Sequence, residues 1–373
     1  MTCNDIIKYI ESWAPKETAW QKDNVGLQAG APNREVSNIL LSLEVTPPVL
    51  EQAIRQNCNL IITHHPFIFT PIKTLNFDHD TQSIILQTLI KNDITLYSAH
   101  TNLDFTKDGV SFILAKKLGL QKINFLTKLK SNQFKLSVNV PVDAVDKVAD
   151  AIFAAGGGIV GEYSGCSFRQ KGLGTFYGSS SSNPKRGNKE KFERVDEFKL
   201  EIVVYAWKLN AAVKALKAAH PYEEPAFDVL PLENENPNHG AGAIGEFEIP
   251  LKIDDFFSQL KKNLKLSNFR YATGKSKTVK KVAVCGGSGS DLFNEAVKAG
   301  ADVFVTADIK YHTFHDAVDK IWLIDAGHYE TEIHVLNEME RRLKNLTKEN
   351  RIKIFKYKGS TNPILFYNKE GVN

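Results

Sequence analysis

Three short stretches of the chain concentrate metal-ligand side chains: Thr63-His64-His65-Pro66, His100-Thr101-Asn102-Leu103-Asp104 and His328-Tyr329-Glu330-Thr331-Glu332. Imidazole and carboxylate are the donors that borderline and hard divalent cations prefer. His64 and His65 are adjacent, and inside a strand they would point to opposite faces. Just past a strand, where Pro66 forces extended chain, both can reach one site, each serving a different ion. His100 and Asp104 share one face of a helical turn by their spacing, as do His328 and Glu332. The set predicts one compact site large enough for two metal ions. Two cations at about 3.5–4 Å need a bridging carboxylate, for which Glu332 and Asp104 are the candidates.

Each stretch directly follows an apolar, β-branched run, and ligands converge at the carboxyl ends of strands in an open α/β sheet. Val36 to Leu43 reads as a buried strand, with Thr46 as N-cap and Pro47 in the first turn of the next helix. Leu60 to Thr63 is a strand running into His64. Thr81 to Ile90 is helical, Ile94 to Ser98 is a strand leading to His100, and Asp108 caps a helix through Leu118. In the last third, Val279 to Cys285, Val303 to Thr306, Ile321 to Ile324 and Ile352 to Tyr357 read as strands. Helices are expected from Asp291 to Ala299 and from His328 to about Asn345. This alternation predicts parallel-rich sheets. NLIITHHP parallels DVFVTADIKYH and TLYSAHTNLD parallels WLIDAGHYETE, which suggests an internal duplication, although buried parallel strands resemble one another in any case.

The middle differs. Phe134 to Val140 and Phe198 to Tyr205 read as strands, as does Ala226 to Leu230; Val142 to Ala155 and Leu209 to Ala219 read as helices. That is the β-α-β…β-α-β pattern of a ferredoxin-like arrangement. Ser179 to Lys191 is polar and contains Gly and Pro, hence a loop. The fold class expected is therefore α/β: a discontinuous two-module domain over 1–128 and 236–373, with an inserted α+β ferredoxin-like domain over 129–235.

Secondary candidates surround the main site. Lys310, His312 and His315 follow another strand end and can line the same cleft. Gly286-Gly287-Ser288-Gly289-Ser290 joins a strand to a helix, a turn that can aim backbone N–H groups at an anion, or simply turn tightly. It lacks the features of a nucleotide phosphate loop. His79, His239 and His334 are expected at the surface. His220, in His220-Pro221-Tyr222-Glu223-Glu224-Pro225, reads first as part of a rigid polar turn.

Composition sets the class. The 373 residues are 42% apolar and 24% charged, ordinary for a globular protein, and too many for a typical single core. No apolar run reaches the roughly 20 residues needed to span a bilayer. MTCNDIIKYIESW lacks the basic start and apolar core of a signal peptide. Four scattered cysteines form no CxxC pair, arguing against a thiolate zinc site and for a reducing cytoplasm. A net charge of +4 does not indicate nucleic-acid binding.

Several motifs together resemble the Ngg-one-interacting-factor-three-like family, also called GTP cyclohydrolase I type 2 homologs. They are DNVGLQ at 23–28, THHP at 63–66, SAHTNLD at 98–104, HPYEEPAFDV at 220–229, VAVCGGSGSD at 282–291, Thr306 to His312, and DAGHYETE at 325–332. The resemblance implies a dinuclear metal site in a discontinuous α/β domain, a PII- or CutA-like insertion in long members such as this chain, and a homo-oligomeric, hexameric ring. It implies that one ion takes His64, Asp104 and Glu332. The other takes His65, His328 and Glu332, the bridge. His100 matches a position close to the site. It does not imply a reaction; the cyclohydrolase label is not an activity.

Two function classes follow. One is a two-metal hydrolase of a nucleotide or phosphate ester, with Lys310, His312 or His100 acting on protons or substrate charge. The other is a non-catalytic metal store, chaperone or regulator whose insertion senses a small molecule. Zinc suits the donors first; iron, manganese and cobalt also suit them.

Overall fold

The computed structural model describes residues 1–130 and 132–367. The chain divides into two compact units, one formed by Met1–Thr127 with the described residues from His239 onward, the other by Lys128–Asn238.

The first unit is mixed α/β with two parallel-rich sheets. One sheet runs Gly26–Ala29, Thr95–Ser98, Leu60–Thr63, Asn38–Ser42, Lys353–Lys356. Its last four strands are parallel, and Gly26–Ala29 pairs antiparallel at the edge. The other runs Arg270–Ala272, Trp322–Asp325, Val303–Ala307, Thr278–Ser288, Gly240–Lys252, Gln121–Lys128. Trp322–Asp325, Val303–Ala307 and Thr278–Ser288 are parallel, again beside an antiparallel edge strand. The two sheets thus share an order: edge strand, third, second and first parallel strand. This is the layout expected of a duplication.

Both faces of each sheet are covered, which is why the strands read as continuous apolar runs rather than alternating ones. In the first sheet, Ile39, Leu41, Ile62 and Tyr97 pack with the helices Cys3–Trp13 and Val335–Thr347. Leu40, Ile61 and Leu96 face the opposite way, against Pro47–Arg55 and Thr81–Lys91. In the second sheet, Val282, Val284 and Val305 pack with Val110–Leu118 and Ile253–Leu264, while Ala283, Phe304 and Leu323 form the other layer.

The second unit runs β-α-β-β-α-β. Its sheet order is Phe168–Tyr177, Phe192–Tyr205, Gln133–Pro141, Phe227–Leu232, and all pairings are antiparallel. Leu136, Val138, Val140, Leu200 and Ile202 face the helices Val145–Ala154 and Leu209–Ala219. The alternate positions Ser137, Asn139, Glu197, Lys199 and Glu201 lie on the opposite face, since strand side chains alternate. Among the described residues, no helix is long and apolar enough to cross a membrane.

Some local expectations are corrected. The helix after residue 108 is capped by Gly109, not Asp108. A Cβ at Gly109 would sit 1.9 Å from the Leu103 carbonyl oxygen. Asp108 instead ion-pairs with Lys116 and Arg342. The expected helix from His328 to about Asn345 is two, His328–Glu332 and Val335–Thr347. His239 is buried rather than exposed, and burial pushes its imidazole down to about 4. His334 is partly buried, and burial likewise pushes it down to about 4.

Candidate metal centre

The three ligand-bearing stretches meet at the carboxyl ends of the two sheets in the first unit. His64 and His65 sit just beyond Leu60–Thr63, and their amides still bond the Ser42 and Leu43 carbonyls at 3.3 and 2.9 Å. His65 is also fixed through its carbonyl, which accepts from Thr63 Oγ1 at 2.9 Å. The two rings lie side by side, with centroids 4.9 Å apart. His100 is the N-cap of the turn Thr101–Asp104, with its ring 5.3 and 5.4 Å from those of His64 and His65. His328 and Glu332 open and close the five-residue helix after Trp322–Asp325. The helical spacing predicted for the pair holds, since His328 Nε2 lies 3.1 Å from Glu332 Oε1.

All four rings are tethered at Nδ1. His64 donates to the Ala99 carbonyl at 2.8 Å, and His65 pairs with Glu44 at 2.8 Å. His100 pairs with Asp23 at 2.9 Å, and His328 pairs with Asp308 at 2.6 Å. An acceptor at Nδ1 fixes the tautomer and leaves Nε2 as the ligand atom, the usual outer-layer arrangement of metal-binding histidines.

The Nε2 atoms of His64, His65 and His328 converge on Glu332, which is 3% exposed. His64 Nε2 is 3.6 Å from Oε1, and His65 Nε2 is 3.0 Å from Oε2. Asp104 Oδ1 faces His64 Nε2 from the other side at 3.6 Å. His65 and His328 bring their Nε2 atoms within 3.3 Å of each other.

The electrostatics are those of a cation site. Burial would raise the Glu332 carboxyl, yet the facing His64, His328 and His65 rings hold it well below the usual carboxylate range. Burial would lower His65, but Glu332 and Glu44 raise it to about 10. Burial likewise opposes His328, which Glu332 and Asp308 raise to about 9. Burial lifts Asp104 to about 7. The pocket therefore attracts positive charge, as protons or as a metal ion. His64 Nε2 and Asp104 Oδ1 are buried and form no short hydrogen bond, facing one another only at 3.6 Å, an arrangement that is costly to leave so. Two triads, His64 with His65 and His100, and His65 with His328 and Glu332, each bring their ligand atoms within 4.8 Å of one another.

Gly286 to Ser290 plays a part other than the anion turn considered above. Its amides at Gly286, Gly287 and Gly289 are taken by the hydroxyls of Ser111, Thr331 and Thr306 at 3.3, 3.0 and 3.0 Å. The glycine matters for space: Gly287 has φ +61°, and a Cβ there would lie 2.2 Å from Glu332 Oε1 and 3.2 Å from His328 Nε2. Lys310 and His312 are exposed, and no hydrogen bond or ion pair among the described residues joins them to the cluster. Glu44, Asp23 and Asp308 carry roles that motif spacing did not reveal. Glu44 and Asp308 each lie just past a strand end, so the strand-end rule could have found them.

The chain is similar to known proteins over nearly its whole length. A family model described as Duf34/NIF3 (NGG1p interacting factor 3) matches residues 1–363. A Halalkalibacterium halodurans protein called GTP cyclohydrolase 1 type 2 homolog is 38% identical over 345 residues, 91% of this chain and 92% of its own. A Bacillus subtilis protein of the same name is 34% identical over 365 residues, 97% of each chain. The crystal structure of a Bacillus cereus protein related to NIF3 superposes with TM-score 0.84 at 36% identity, covering 98% of this chain and 99% of that one.

Proposed function

This chain is a member of the Duf34/NIF3 family, and from that premise we propose that its first unit holds two divalent metal ions and hydrolyses a nucleotide or phosphate ester. His64, Asp104 and Glu332 would hold one ion and His65, His328 and Glu332 the other, Glu332 serving both; His100 would be a neighbour of the first set. The observation that carries this reading is the convergence of the buried His64 Nε2, Asp104 Oδ1 and Glu332 carboxylate inside a ring of Nδ1-tethered imidazoles.

When bound, two such cations supply Lewis acidity toward a phosphoryl oxygen and lower the pKa of a neighbouring water. The chain does the rest. Glu44, Asp23 and Asp308 orient the rings, and Gly287 leaves room for the bridging carboxylate. A cavity of about 250 Å³ adjoins His328, lined by Phe269, Arg270, Glu330 and Asn362; it offers an aromatic face to a small substrate, beside an Arg270 that is paired with Asp325. Lys310 and His312, two and four residues after Asp308, are the candidates for acting on protons or substrate charge. Zinc suits the mixed imidazole and carboxylate donors first, then iron, manganese or cobalt. The proposal extends to a cytoplasmic homo-oligomer, a hexameric ring; exposed Trp20, Phe69 and Phe77 supply apolar surface for it.

The test is turnover. Metal-loaded protein is screened against nucleotides, cyclic nucleotides and phosphate esters beside Glu332→Ala. Turnover in the wild type and its loss in the variant support the hydrolase. No turnover on any of them, with readily exchanged metal, points to the second reading, a metal store or a regulator.

A further inference from the structure

The HPYEEP turn belongs to the second unit, which the metal site does not use. His220 is buried there, and both ring nitrogens are engaged: Nε2 donates to the Asn139 carbonyl at 2.9 Å, and Nδ1 accepts the Tyr222 amide at 3.1 Å. Burial lowers its pKa, which suits a neutral ring with a fixed tautomer. His220 therefore pins the turn to the open face of the sheet. There the turn helps enclose a cavity of about 270 Å³, lined by Asn139, Thr175, Phe176, Lys185, Glu197 and Tyr222. Glu223 draws the facing loop in, accepting the Asn183 amide at 2.9 Å.

Two groups in this cavity have no partner but each other. Glu197 is only 9% exposed, and no cation pairs with it among the described residues. The Tyr222 hydroxyl is buried against Glu197, the one acceptor within its reach, and its oxygen lone pairs are left open to a donor. Gly174 makes the seat for the carboxylate, since a Cβ there would lie 2.3 Å from Glu197 Oε2. Of the two cations at the rim, Arg186 is already paired with Asp143, and Lys185 sits on exposed chain. A carboxylate buried without a cation is costly, so the cavity is short of positive charge. Phe176, Pro184 and Ala226 give it an apolar wall amid polar side chains, and its volume suits a carbon skeleton rather than a bare ion. Aromatic rings beside a carboxylate further favour an organic cation.

We propose that this cavity is a binding site for a small organic cation bearing N–H donors, a primary ammonium or guanidinium group, with Glu197 and Tyr222 as its recognition pair. The charged end bonds the Glu197 carboxylate and the Tyr222 oxygen, and the carbon chain lies along Phe176.

The experiment is an NMR titration of the full chain with agmatine, which carries both head groups. Inorganic phosphate and calcium serve as control probes. Saturable shifts are expected at the amides of Gly174, Glu197 and Tyr222. Affinity should fall roughly tenfold or more in Glu197→Gln and severalfold in Tyr222→Phe. Both variants are checked for folding by their dispersed amide spectra, and Tyr222→Phe carries the test if Glu197→Gln does not fold. No shift at these amides up to millimolar agmatine overturns the proposal. So does binding that neither variant weakens, or saturable binding of phosphate or calcium there in place of agmatine.

Discussion

Glu332 is a carboxylate almost wholly shut off from water yet surrounded by imidazole nitrogens, so its charge is maintained by its neighbours rather than by solvent. That balance depends on the residues behind the rings. Glu44 and Asp308 accept from His65 and His328 at Nδ1 and keep Nε2 turned inward. Removing the charge while keeping the shape should loosen the rings without emptying the site. Glu44→Gln and Asp308→Asn are expected to weaken metal binding by about 10- to 100-fold, read by competition with a chromogenic chelator. Unchanged affinity in both would mean that the rings are held by packing alone. These orienting residues were the least legible part of the sequence. A single acid after a strand looks like any solvated turn residue, whereas paired ligands at helical spacing carry a recognisable period. His100 and Asp23 show the same division: Asp23 opens the DNVGLQ motif, but no spacing ties it to a histidine 77 positions away.

The elements that carry the ligands were legible wherever burial was two-sided. Leu60–Thr63, Thr95–Ser98 and Val303–Ala307 are buried throughout, and their unbroken apolar runs announce parallel strands. Phe168–Tyr177 escaped notice because it is mostly exposed on both faces and contains two glycines, so no alternation marks it. Gly240–Lys252 escaped for a related reason, since its glycine-rich start reads as a loop. The first helix is supported in a way that can be tested directly. Thr2 Oγ1 accepts the Asp5 amide at 3.2 Å, and Asp5 Oδ2 accepts the Thr2 amide at 2.8 Å, a capping box on Cys3–Trp13. Thr2→Ala should cost that helix about 1 kcal/mol. Amide exchange in its first turn should then rise about fivefold, with the sheet amides unaffected. Equal exchange in both proteins would show that packing of Ile6, Ile7 and Ile10 holds the helix without the cap.

At the scale of the molecule, the order shared by the two sheets explains why the site forms where it does. Each sheet ends its second and third parallel strands in polar residues: His65 and His100 from one, Asp308 and His328 from the other. The first part of the chain supplies His64, His65, His100 and Asp104 and the last part His328 and Glu332, so the full cluster draws on both ends of a chain interrupted by the second unit. The most direct test of this account is the metal content of the full chain purified without added metal or a chelating tag, measured by elemental analysis beside Glu332→Gln. About two equivalents of divalent transition metal per chain are expected in the wild type, and one or none in the variant. A wild-type protein that holds no stoichiometric metal, even after incubation with zinc, iron, manganese or cobalt, would contradict it.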